Sequence, residues 1–290
     1  MHLTHMKSID DIATIAVIGA GTMGSGIAQV SAQSGFKTIL FDVNDAALEK
    51  GKASIEKNLS IAVEKNKLTV DEKIAVMSEL TFTKDFSDLV ADVFIEAIIE
   101  KLEVKQELFQ KLATQNSSET ILASNTSTIP ITQIAAAVSN PERVVGMHFF
   151  NPAHLMKLVE IISGEKTNDQ TTQLSFQLAI KWGKTAVLAK DRPGFIVNRI
   201  GKMYHTEPLH LLEKNVADAN TIDALLESSG FKMGPFKLID LIGVDANLNV
   251  TKSLFSLLHH EKFKPSKLQQ QLVDDGMLGR KSGEGFYKYS

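Results

Sequence analysis

Ile15-Ala16-Val17-Ile18-Gly19-Ala20-Gly21-Thr22-Met23-Gly24 decides how this chain reads. A short apolar run passes into three glycines spaced G-x-G-x-x-G, and a helical pattern from Met23 to Gln33 follows at once. In such a strand–turn–helix unit Gly19 permits the tight turn and Gly21 lets backbone N–H groups approach a pyrophosphate. Gly24 lets the helix pack close to the strand, and the helix N-terminus supplies positive potential for the phosphates. Gly19, Ala20, Gly21, Thr22, Met23 and Gly24 are thus the candidate cradle of a dinucleotide. The next apolar run, Lys37–Phe41, ends in Asp42, 18 residues past Gly24, where a ribose-binding acid belongs. A carboxylate there accepts hydrogen bonds from a free 2′-OH and repels a 2′-phosphate, and Val43 and Asn44 add no cation. NAD is expected rather than NADP. The plainer alternative is an ordinary glycine turn with Asp42 solvated. Strand, turn, helix, strand and acid in order argue against it.

Apolar runs of strand length recur outward from this unit, near residues 14–18, 37–41, 80–83, 92–96, 120–123, 144–148, 157–162 and 185–188. Helical periodicity fills the early gaps, as over 46–64 and 102–112. That alternation predicts an α/β fold: a Rossmann-type domain whose mostly parallel sheet is buried between helices. The last two strands look closely connected, so mixed or antiparallel pairing is expected there. Beyond Lys190 the chain changes character. Asp191-Arg192-Pro193-Gly194 is turn chemistry, Pro193 suits the first residue of a helix, and β-branched runs give way to helical spacing at 220–226 and 268–274. Two domains are expected: residues 1–190, binding NAD, and an all-α C-terminal domain over 191–290.

The 290 residues are 43% hydrophobic and 22% charged, an ordinary globular balance, with 31 Lys and Arg against 34 Asp and Glu. The absence of a basic excess argues against a nucleic-acid partner. There are no cysteines, which excludes disulfides, thiolate metal sites and a Cys nucleophile, and suits a reducing compartment. Residues 1–8 have no apolar signal core and are followed by Asp10 and Asp11, and no apolar run reaches the ~18 residues of a membrane helix. A soluble cytoplasmic protein with no membrane partner is expected.

Two stretches carry candidate chemistry. Ser124-Asn125-Thr126-Ser127 follows an apolar run, at the strand end where open α/β sheets bind ligands, although taken alone the stretch reads slightly better as a polar cap before the helix near Pro130. His148-Phe149-Phe150-Asn151-Pro152 ends another apolar run, and Glu160 lies 12 residues on between Val159 and Ile161. An acid in such a strand is costly unless paired. If the two strands are neighbours, Glu160 accepts from one imidazole nitrogen and the other takes a substrate proton, work to which histidine is suited near neutral pH. A lone buried histidine is more often a satisfied core residue; Glu160, the Ser127 loop and the expected dinucleotide favour the catalytic reading. The remaining histidines, including His205, His210, His259 and His260, fit no zinc-binding spacing and read as surface residues, and no metal is expected.

With these motifs in hand, the chain resembles the 3-hydroxyacyl-CoA dehydrogenases, of the short-chain 3-hydroxybutyryl-CoA type. Besides the glycine loop the matches are Glu96-Ala97-Ile98-Ile99-Glu100, Ser124-Asn125-Thr126-Ser127, His148-Phe149-Phe150-Asn151-Pro152 and Met156-Lys157-Leu158-Val159-Glu160. Pro193-Gly194-Phe195-Ile196-Val197-Asn198-Arg199, Met233-Gly234-Pro235-Phe236 and the run from Gly279 to Tyr287 continue them in order. The resemblance implies an NAD-dependent oxidoreductase of fatty-acid metabolism that interconverts an (S)-3-hydroxyacyl-CoA and the 3-ketoacyl-CoA. It implies His148 as general base, Glu160 orienting it, Ser127 on the substrate oxygen and Asn198 completing the pocket. It further implies cofactor contacts at Glu100, Lys105, Ser127, Asn151 and Lys281, a CoA contact at Lys65, and a homodimer formed through the C-terminal domain. Lys65 reads equally well as one solvated lysine among many. Departures cluster in that domain: Pro208 follows Glu207 where relatives commonly carry Ala, Gly201 and Lys202 replace apolar residues, and Lys232 stands where proline is common. Pro208 is expected to kink or end the helix begun near Gly194. Two alternatives stay open: a dehydrogenase of a free hydroxy acid or sugar acid, and a non-catalytic NAD-binding or structural relative.

Overall fold

The computed structural model describes residues 8–289, so residues 1–7, most of the stretch read above for targeting signals, lie outside it. The chain forms two compact units, Met1–Arg192 and Pro193–Ser290. The first runs β1 (Thr14–Ile18), α1 (Thr22–Gln33), β2 (Lys37–Phe41), α2 (Asp45–Glu64), α3 (Val70–Ser78), β3 (Leu80–Thr83), β4 (Val93–Glu96), α4 (Leu102–Gln115), β5 (Ile121–Ser124), α5 (Ile131–Ala135), β6 (Val144–Phe149), β7 (Leu158–Ser163), α6 (Asp169–Lys181) and β8 (Thr185–Lys190).

One eight-stranded sheet has the order β3-β2-β1-β4-β5-β6-β7-β8. Its first six strands are parallel. The order reverses between β1 and β4, and the crevice above that switch point is where such sheets take ligands. Ile15, Val17, Val93 and Ile95 are fully buried, because helices cover both faces and the central strands are apolar along most of their length. β7 pairs antiparallel with β6, and β8 parallel with β7, so the sheet is mixed, as expected. The close connection expected between the last two strands is corrected: α6 links them, packing on β6, β7 and β8, and so carries β8 back parallel to β7.

Gly24 shows why the loop needs glycine. A Cβ there would stand 1.7 Å from the Gly19 carbonyl oxygen, so the α1 entry packs on the turn itself. Gly19 has φ +103°, a conformation that costs a residue with a side chain, and its Cβ would also meet the Ala97 carbonyl at 2.7 Å.

The second unit comprises α7 (Val197–Gly201), α8 (Met203–Glu213), α9 (Ala219–Ser228), α10 (Pro235–Ile242), α11 (Val244–Leu258) and α12 (Lys267–Asp274). Its apolar core joins Leu209, Ile222, Phe236, Ile239 and Val244. Buried Asp223 accepts from the Phe236 and Lys237 amides at the start of α10 and from the Tyr287 hydroxyl, fastening α9, α10 and the C-terminal segment together.

Three expectations for this unit are corrected. Pro193 does not open a helix: Gly194 (φ +75°) and Phe195 (φ +47°) make a left-handed turn, and α7 starts at Val197. Pro208 does not end its helix: α8 runs on to Glu213, and the break falls at Lys202 instead. Pro208 and Leu209 are both buried, and that packing outweighs the lost backbone hydrogen bond. His205 is not on the surface. It lies with Lys202, Asn247 and Gln269 in a buried polar cluster: Lys202 Nζ donates to the Asn247 carbonyl (2.7 Å), and Asn247 Nδ2 faces His205 Nδ1 at 2.8 Å. Gln269 Nε2 donates to Asn247 Oδ1 at 3.0 Å. Among the described residues no helix is long and apolar enough to cross a membrane, and no group of acids and histidines could hold a metal.

Candidate active site

The C-terminal ends of β1, β2, β4, β5 and β6 share one edge of the first unit's sheet, and its candidate residues gather there. At β1 the glycine loop enters α1 with Gly21 as N-cap, and neither a capping side chain nor an acid occupies the first turn. A Cβ on Gly21 would meet nothing within 4 Å, so there is room beside the loop at the N-terminus of α1, the end of a helix that favours phosphate. Asp42, at the end of β2, leans over this loop: its Oδ2 accepts from the Ala20 amide (2.8 Å) and its Oδ1 from the Asn44 amide (3.0 Å). Among the described residues no cation pairs with Asp42. This donor set fits a dinucleotide: amides toward the phosphates and a carboxylate toward the ribose.

At β6 and β7 the register makes His148 and Glu160 direct cross-strand partners. His148 Nδ1 lies 2.7 Å from Glu160 Oε2, with His148 3% exposed and Glu160 fully buried. A carboxylate this close to Nδ1 makes that nitrogen a donor, which assigns acceptor chemistry to Nε2. Phe150 tilts against the imidazole with ring centroids 4.6 Å apart.

At β5 the Ser127 loop is held from several sides. Asn125 Oδ1 accepts from the Phe149 amide (2.8 Å), tying the loop to the strand that carries His148. Glu100 Oε1 accepts from the Thr126 hydroxyl (2.5 Å) and the Ser127 and Thr128 amides (2.9 and 3.1 Å). Burial works to raise the Glu100 carboxyl, but the charge of Lys105 and the bonds from Thr126 and Ser127 outweigh it and hold it below the usual carboxylate range. Asp191 caps α5 from 60 residues away, accepting from the Ile131 and Thr132 amides, while Thr126 Oγ1 accepts from the Thr128 and Ile129 amides in the turn ahead of it.

The other candidates lie on helices and loops. Lys105 is 1% exposed and turned inward, on Glu96 at 2.5 Å and Glu100 at 3.2 Å, so it meets the edge through Glu100. Asn151 is exposed just past β6, and Lys65 is exposed at the end of α2. Asn198 lies on α7, and Lys281 pairs with Asp245 at 2.6 Å, both within the second unit. Sequence reasoning missed Glu96, which is fully buried at the end of β4. The signal that marked Glu160 was available there too, for Glu96 closes the apolar run Val93-Phe94-Ile95.

Known proteins share this sequence pattern and fold. The family described as 3-hydroxyacyl-CoA dehydrogenase matches twice, by its NAD binding domain over residues 14–192 and its C-terminal domain over 194–289. The 3-hydroxyadipyl-CoA dehydrogenase of Escherichia coli K12 is 45% identical over 96% of this chain, which spans 59% of that longer protein. A probable 3-hydroxybutyryl-CoA dehydrogenase of Deinococcus radiodurans is 44% identical, covering 94% of this chain and 99% of its own. The crystal structure of (S)-3-hydroxybutyryl-CoA dehydrogenase from Ralstonia eutropha superposes with a TM-score of 0.91 at 37% identity, over 96% of this chain and 99% of that one.

Proposed function

The chain belongs to the family of NAD-dependent 3-hydroxyacyl-CoA dehydrogenases, and on that premise we propose that it interconverts a short-chain (S)-3-hydroxyacyl-CoA, of the 3-hydroxybutyryl class, with its 3-ketoacyl-CoA. The observation that carries this reading is the buried His148–Glu160 pair, 2.7 Å apart beside the Ser127 loop and on the same sheet edge as the glycine loop. When bound, NAD supplies the acceptor for the hydride leaving C3. His148 Nε2 takes the proton of the 3-hydroxyl, and the Glu160 carboxylate holds the ring's orientation and stabilises the imidazolium that forms. Ser127 directs a hydrogen bond at the same oxygen. Asn198 is assigned to the substrate, and Glu100, Asn151 and Lys281 to the cofactor. Lys65 is assigned to the phosphates of CoA.

We assign the domain boundary to the neighbourhood of residue 190, the enzyme to the cytoplasm, and dimerisation to the second unit. Ile200, Leu225, Phe231 and Leu241, about half or more exposed there, support the last assignment.

The test is NADH oxidation by the purified protein with acetoacetyl-CoA, beside NADPH, free acetoacetate and the 3-oxoadipyl thioester. Rapid loss of NADH with acetoacetyl-CoA alone is expected. Turnover of free acetoacetate would move the enzyme to the hydroxy-acid class, and NADH binding with no turnover of any thioester would make it a non-catalytic relative. Two variants follow from the same site. Asp42→Ala should weaken NADH more than NADPH, because it removes the ribose acceptor and the repulsion of a 2′-phosphate together; equal losses would mean Asp42 does not read the ribose. Glu160→Gln should lower the plateau rate and move the midpoint of the oxidation pH–rate profile to lower pH, since imidazolium loses its stabilising charge. An unmoved midpoint would count against the pairing as the source of basicity.

A further inference from the structure

Two hydrogen-bond routes fix the loop from Thr126 to Thr128, and both start at one carboxylate that the proposed mechanism leaves unused. Glu96 is fully buried at the end of β4. Its Oε2 accepts from the Ser124 hydroxyl (2.6 Å), and Ser124 Oγ in turn accepts from the Thr126 amide (3.2 Å). Its Oε1 accepts from the Ile98 amide (2.8 Å) and from Lys105 Nζ (2.5 Å). Lys105 then reaches Glu100 (3.2 Å), whose other oxygen holds the Thr126 hydroxyl and the Ser127 and Thr128 amides.

A buried ion pair is weak evidence of stabilisation, because its desolvation offsets much of its attraction and a well-packed apolar pair often serves a core as well. What an apolar pair could not do is aim a carboxylate. Lys105 is 1% exposed and lies between a fully buried acid and Glu100, whose side chain is 39% exposed. Glu96 supplies the charge that keeps the ammonium inside, and the ammonium draws Glu100 in over the loop amides. Without Glu96 the lysine would have only the outer carboxylate, and Ser124 would lose its acceptor at the root of the same loop.

We propose that Glu96 is a positioning residue for the reaction: through Ser124, and through Lys105 and Glu100, it sets the loop that presents Ser127. This rests on the reading of Ser127 as a substrate contact. It gives Lys105 a supporting role for Glu100.

The test is a double-mutant cycle on the full chain, with kcat and KM for acetoacetyl-CoA measured for Glu96→Gln, Ser127→Ala and the double variant. Glu96→Gln should melt cooperatively and lose about 10- to 100-fold in kcat/KM, the scale of a sub-ångström to ångström misplacement. In the Ser127→Ala background the same change should cost less than about twofold, because its effect passes through Ser127. Independent, multiplicative losses would overturn the proposal, as would a folded Glu96→Gln enzyme with unaltered kcat/KM. Should Glu96→Gln not fold, Ser124→Ala severs one route and leaves the ion pair; its loss should likewise vanish beside Ser127→Ala, and a loss that persists overturns the proposal. Wild-type turnover separates the two levels: a silent wild type, or a Ser127→Ala variant as fast as wild type, rejects the functional reading and this proposal with it. A normal wild type, an impaired Ser127→Ala and an additive cycle reject this proposal alone.

Discussion

His148→Gln is expected to lower turnover by about 10²–10⁴-fold, the usual worth of a positioned general base, with NADH affinity little changed. Glutamine keeps a polar side chain beside Glu160 but cannot take a proton near neutral pH. The imidazole is 3% exposed and its Nδ1 is committed to Glu160, so the substitution deletes proton transfer without touching the glycine loop or Asp42. Steady-state rates with acetoacetyl-CoA, beside fluorescence titration of NADH, separate the two effects. Near-normal turnover would remove His148 from the mechanism. A parallel loss of NADH binding would mean that the substitution disturbs the sheet edge as a whole.

Lys202→Met should make the protein more stable, by several kcal/mol at neutral pH. Burial pushes the Lys202 ammonium down from its ordinary 10.5 to about 7, and its bond to the Asn247 carbonyl does not repay the lost hydration. The folded chain therefore releases a proton that the unfolded chain keeps between pH ~7 and ~10.5, so stability from this group rises with pH across that window. Below pH ~7 the full cost applies, up to roughly 4–5 kcal/mol by the free energy of such a lowering. Methionine fills similar space without the charge, and the Asn247 carbonyl keeps its bond from the Thr251 hydroxyl at 3.0 Å. Urea midpoints of both proteins at pH 7 and pH 10 test this. The variant should lead clearly at pH 7 and the gap should narrow by pH 10. Equal midpoints at pH 7 would mean that the ammonium is hydrated where it lies.

Lys202 also shows where sequence reading stops. Its departure from the family pattern is visible in the sequence, but whether a lysine lies inside or snorkels outward is decided by what packs over its stem. His205 was misread for the same reason. It carries no local mark of burial, and its partner Asn247 is 42 residues away. Pro208 shows propensity overruled: the residue that should break α8 is carried through it by packing that no local rule contains.

The glycine loop, the alternation of strands and helices and the acid at the end of β2 are local patterns. They follow from turn sterics and from periodicities of 2 and 3.6 residues, which act between near neighbours, so the chain order alone determined the Rossmann reading, the NAD preference and the candidates His148 and Glu160. Tertiary structure decided which of these meet. His148 and Glu160 pair because β7 lies antiparallel beside β6 in a register that sets them opposite, and a slip of one residue would turn Glu160 to the other face of the sheet. Asp191 caps α5, and Glu96 joins Ser124 to Lys105, through contacts between separate segments. A hydrogen bond depends on separation in space to a few tenths of an ångström, and separation along the chain carries no such information.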